Sequence, residues 1–69
     1  MDYDYSKLNE AITEMFGNRR IFAKAMGMGN STLNYKLNNQ SEWTQEEMKL
    51  ALELLDRPNN MIYEYFFTH

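Results

Sequence analysis

Cysteine is absent from this chain, His69 is the only histidine, Pro58 the only proline, and Gly17, Gly27 and Gly29 are the only glycines. Each scarcity excludes something. Without cysteine there is no disulfide and no thiolate, and one terminal imidazole leaves almost nothing from which to build a zinc site. No nucleophile and base pair can be assembled either, because the carboxylates fall on polar helix faces where charged residues ordinarily sit in solvent. The expectation is a protein that is not an enzyme and needs no metal or cofactor. No apolar run approaches the ~18 residues of a membrane span. The opening MDYDY has no basic region followed by an apolar one, as a secretory signal would, so a soluble cytoplasmic protein is expected.

With 69 residues, 43% of them apolar, and ten aromatics, the chain is long enough for one folded domain over residues 1–69. A domain of this size buries only roughly 60% of the surface its unfolded chain exposes, so a lean helical core is expected. Acidic residues are missing from one region. From Asn18 to Gln40 the charged residues are Arg19, Arg20, Lys24 and Lys36, a local +4, while residues 1–17 carry −3 and residues 41–69 carry −4. The overall −3 therefore averages opposed regions. Phosphate attraction is felt over about 8 Å at physiological salt, so a local basic patch outweighs the mean.

The few glycines and the single proline fall where apolar helical periods break, which reads as punctuation between five short helices. In the first, Ser6 is the expected N-cap and Leu8, Ala11, Ile12, Met15 and Phe16 form one stripe closed by Gly17. The second starts at Asn18, packs Phe22, Ala25 and Met26, and ends at Gly27. The third starts near Asn30 with Leu33 and Leu37 inward. The fourth has the clearest beginning: Thr44 and Glu47 fit a capping box, and Trp43 and Met48 a hydrophobic staple. Its Met48, Leu50, Ala51, Leu52, Leu54 and Leu55 predict a nearly all-round apolar central helix, stopped by Asp56, Arg57 and Pro58. The tail over 59–69 reads as a fifth helix with Met61, Ile62, Tyr65 and Phe66 on one side, although its β-branched and aromatic residues suit a strand as well.

Helices two and three, joined through Ala23, Gly27 and Met28, have the make-up of a helix-turn-helix over 18–38. A small residue stands where the helices cross, a Gly where the turn needs positive φ, and apolar residues set the angle between them. The stretch A-K-A-M-G-M-G-N-S, residues 23–31, resembles the same region of the lambda-repressor-like helix-turn-helix superfamily. Over residues 6–67 the chain is similar to the small phage-type Cro and repressor proteins of that group, including W-T-Q-E-E opening the fourth helix and E-Y-F-F closing the fifth. The resemblance implies an all-α, compact five-helix domain; residues 1–5 are an acidic arm where some members of the superfamily carry a basic one. It also implies a sequence-specific phage or prophage transcriptional regulator, Cro-like, that inserts its third helix into the major groove of an operator.

The same resemblance implies a phosphate contact from Arg19 and base readout from Asn30 and Ser31. At 100° per residue, with Leu33 and Leu37 inward, Ser31, Tyr35 and Asn38 lie opposite and Thr32 and Asn34 flank them. Base readout is therefore assigned to Asn30, Ser31, Thr32, Asn34 and Tyr35, since amides and hydroxyls can bond base edges. Phosphate contacts are assigned to Arg19, Arg20, Lys36, Asn38 and Asn39. Lys36 stands where the superfamily usually has an apolar residue, and from the core margin it is expected to snorkel to a phosphate. The plainer readings are that Asn30 only caps its helix, that Tyr35 packs sideways, and that the six methionines fill the core.

Relatives present two recognition helices to half-sites about 34 Å apart, so a homodimer, at least on DNA, is implied. Ile62 and Phe66 are expected to complete the core, leaving Tyr63 and Phe67, four residues apart, as a self-complementary dimer patch. The rival reading belongs to another class. Phage switches include small proteins of this shape that bind a repressor protein, not an operator, and the acidic flanks here would suit a basic partner surface.

Overall fold

Asp4, not Ser6, starts the first helix: its carboxylate accepts the Ser6 N–H at 2.9 Å, and Tyr5 occupies the N-cap position without a side-chain bond. A carboxylate two residues upstream satisfies an end N–H as well as a hydroxyl at the cap would. The computed structural model describes residues 2–69, so Met1 of the acidic arm lies outside it. Its elements run α1 (Ser6–Phe16), α2 (Arg19–Met26), α3 (Asn30–Leu37), α4 (Gln45–Leu54), a 3-10 turn (Asn59–Met61) and α5 (Ile62–Phe66). The fold is all-α, with no strand among the described residues, and the tail is a helix. No helix among them is long and apolar enough to cross a membrane.

The connections follow from local chemistry. Asn18 caps α2 through its side-chain oxygen, which accepts the Ile21 N–H at 3.0 Å. Gly27, at φ 77°, closes α2 in the left-handed region, where its N–H meets the carbonyls of Ala23 and Lys24. Thr44 and Glu47 form the reciprocal capping box of α4, at 2.9 and 3.1 Å.

Leu8, Ile12, Phe22, Leu33, Leu52, Leu55 and Phe66 are the largest fully buried side chains, so all five helices and the end of α4 feed one core. Edge-to-face aromatic pairs, Phe16 with Phe22 at 5.2 Å and Trp43 with Phe66 at 5.0 Å, fill its two sides. Three packing expectations are corrected. Ala23 is buried and Ala25 is exposed, because α2 turns its Phe22–Met26 stripe inward through Ala23. Met15 is exposed at the end of α1. The fourth helix is two-sided: Met48, Ala51 and Leu52 are buried while Leu50 reaches the surface and Leu54 is half-buried.

Candidate functional site

The α2–turn–α3 segment is held to the rest of the molecule by Phe22, Ala23, Met26, Leu33 and Leu37, all buried. Its outer surface is what remains. Asn30, Ser31, Thr32 and Tyr35 are exposed on α3 and Asn38 just after it, as the helical period predicts, and Tyr35 is 55% exposed, so it does not pack sideways. Arg20 and Lys24 are exposed on α2.

Arg19 sits at the start of α2, half-buried, and is oriented from two sides. Its Nε donates to Asn9 Oδ1 at 3.1 Å and its Nη1 to Asn34 Oδ1 at 2.9 Å. The structure thereby brings Arg19, Arg20, Asn30 and Asn34 together with Asn18 around one open cleft of about 500 Å3. Asn34, expected to read a base, spends its carbonyl oxygen on the guanidinium. Asn9, on α1, was not singled out from the sequence, and nothing local to it marks it.

Two residues expected to contact phosphate, Lys36 and Asn39, are engaged within the molecule. Lys36 is 6% exposed: its Nζ donates to the Glu42 carbonyl at 2.7 Å, pairs with Glu47 Oε1 at 2.9 Å and lies 5.9 Å from the Trp43 ring centre. Counted from Leu33, positions 36 and 37 lie about 60° and 40° to either side of the inward direction, so both belong to the buried face. The ammonium turns toward α4, where the Glu47 carboxylate, with the Glu42 carbonyl of the preceding loop, offsets its desolvation. Asn39 is also committed. Its backbone adopts φ 63°, and its amide exchanges two 2.9 Å hydrogen bonds with the Tyr3 backbone, donating to the carbonyl and accepting the N–H.

Burial would raise the Glu47 carboxyl, but hydrogen bonds from the Thr44 N–H and from Lys36, together with the Lys36 charge, outweigh it and hold the group below its ordinary 4.5. The pair is a fixed internal strut between α3 and α4. Ile21 is a surface feature that the helical period did not flag: it is 50% exposed on α2, outside the buried stripe. The outer face of α2 and α3 thus carries two open apolar groups, Ile21 and Tyr35, among amides, hydroxyls and the cations Arg19, Arg20 and Lys24.

Of the two residues expected to form a dimer patch, Tyr63 is 68% exposed, whereas Phe67 is half-buried against Tyr3, ring centres 5.8 Å apart.

The chain belongs to a family described as "protein of unknown function (DUF739)", whose model matches residues 1–69. Among solved structures it is similar to the solution structure of the modulator of repression (MOR) of the temperate bacteriophage TP901-1 from Lactococcus lactis. Identity is 40%, the match covers 97% of this chain and 90% of that chain, and the TM-score is 0.84. Comparison with the curated proteins finds no match.

Proposed function

We propose that this chain is a protein-binding modulator of a phage repressor, acting by complex formation and not by occupying an operator itself. The observation that carries this reading is the likeness, at 40% identity over 97% of the chain, to a phage modulator of repression. The geometry points the same way. With Lys36 turned inward, only Arg19, Arg20 and Lys24 remain as cations on the α2–α3 face, and Arg19 is already tied to two asparagines. Phosphate neutralisation by Lys and Arg supplies a large share of DNA affinity, and three cations supply little of it. The exposed Ile21 and Tyr35 suit a protein surface, where apolar and aromatic anchors contribute most of the binding energy.

The test is to purify the chain and the repressor of the same phage or prophage and to measure each alone and together on operator DNA. A stable complex is expected, together with a change in the repressor's operator affinity and no retardation of DNA by the chain alone at physiological salt. Failure to bind the repressor would remove the reading.

A second reading, direct operator binding, is favoured by the cleft that gathers Arg19, Arg20, Asn30 and Asn34 at the starts of α2 and α3. It makes its own numerical claim. Three cations limit the log-log salt slope to about −2.7, so a steeper slope on any duplex would require cations from outside this face.

A further inference from the structure

A cavity of about 390 Å3 opens between the N-terminal segment, the turn after α3 and α5, and its walls include the rings of Tyr3, Tyr5, Trp43, Phe66 and Phe67. The N-terminal wall is fastened in place. Tyr3 is latched to the Asn39 amide by the reciprocal pair of 2.9 Å bonds, and the Asp4 N–H donates to the Thr68 carbonyl at 2.6 Å. The rings meet edge-on: Tyr5 on Trp43 at 6.4 Å, Trp43 on Phe66 at 5.0 Å and Tyr3 on Phe67 at 5.8 Å.

The charge of this cavity is one-sided. Asp2 and Glu42 are in its lining and, among the described residues, no cationic side chain is; the His69 ring lies against Tyr3, centres 4.8 Å apart. Lys36, the cation close to Trp43, is neutralised by Glu47 and already uses the indole from 5.9 Å. Trp43 is buried, and its Nε1–H is sealed from solvent without a hydrogen-bond partner.

We propose that this cavity receives an arginine side chain of the protein partner. The inference rests on the reading of the chain as a protein-binding modulator. The rings with surface to offer are Tyr3, which is exposed, and Phe67, which is half-buried; aromatic faces attract cations through their quadrupole, and a planar guanidinium stacks on rings better than a compact ammonium does. Asp2 and Glu42 supply the counter-charge. An anion would meet two like charges here, and a neutral apolar group would leave both carboxylates without a gain in attraction.

Trp43 is the one tryptophan in the chain, so its indole resonance and fluorescence report the cavity alone. The probe is N-acetyl-arginine N-methylamide, with the citrulline analogue as a neutral control of the same shape. Saturable shifts of the Trp43 indole N–H are expected with arginine, at a dissociation constant on the order of millimolar. Binding of the citrulline analogue should be about five-fold weaker. The double variant Asp2→Asn with Glu42→Gln changes two exposed side chains, should keep the helical spectrum, and should weaken the arginine response about five-fold.

An equal response to citrulline, or none that saturates, would overturn the inference. The repressor titration separates this from the broader reading. A repressor complex undiminished in the double variant overturns the arginine site alone, whereas a native chain that takes arginine but no repressor overturns the functional reading.

Discussion

At the scale of single residues, Lys36 carries the most consequence, because one side chain decides both how α3 is seated and how much charge its outer face offers. A lysine at this depth is tolerated only while Glu47 and the Glu42 carbonyl face it. Lys36→Ala should therefore destabilise the fold by about 1–3 kcal/mol, the lower part of that range reflecting the partial exposure of Glu47. Lys36→Met, which fills the same volume without charge, should come within about 1 kcal/mol of the native chain. Urea unfolding distinguishes the two, and equal losses would mean that the lost charge pairing, not packing, is at stake. Acid titration follows from the same pair. The Glu47 carboxyl is held below 4.5 in the folded chain, so its contribution is complete above that value and is lost as pH falls through the lower folded one. Thermal midpoints should thus be level for this group above about pH 5.5 and drop below about pH 4.5, with a smaller acid drop in Glu47→Gln.

At the scale of elements, the joint between α2 and α3 is the part most exposed to a single change. Gly27 has φ 77°, and a Cβ built on it meets nothing within 4 Å, so Gly27→Ala carries only the cost of left-handed backbone, about 1 kcal/mol. In a domain this small that lowers the melting temperature by about 4–8 °C. Gly29→Ala, two residues on, has ordinary backbone and its nearest neighbour, Thr32 Oγ1, at 4.0 Å, so it should shift the melting temperature far less. Equal effects would mean that something other than backbone conformation limits the turn. These joints were legible because their causes are local: Gly27 in its turn, Asn18 at its cap, and Thr44 with Glu47 three residues on. What escaped the sequence is held by distant partners. Asn39 bonds Tyr3 across 36 residues and Arg19 bonds Asn34 across 15, and no spacing announces either. The inward turn of Lys36 was readable in part, since it shares a face with Leu33 and Leu37, but the carboxylate that makes its burial tolerable lies on another helix.

At the scale of the whole molecule, association is governed by how much apolar surface the core leaves over. The described residues close into a body of 26 × 26 × 20 Å, and α5 contributes Tyr65 and Phe66 to its interior while Ile62 and Phe67 are half-buried. Phe67 lies between Tyr3 and Tyr63, with ring centres at 5.8 and 6.3 Å, so it closes the N-terminal segment against the body and has little surface to offer a second copy. That leaves Tyr63 open on α5, and a single exposed aromatic is ordinary on a monomer. A stable symmetric dimer buries roughly 1,200 Å2 or more. Sedimentation at tens of micromolar should therefore give the 8.3 kDa monomer, and Tyr63→Ser should leave that mass unchanged. A native mass twice that value, reduced by Tyr63→Ser with the helical spectrum intact, would instead assign α5 to a self-interface and would require the partner to compete with a second copy of the chain.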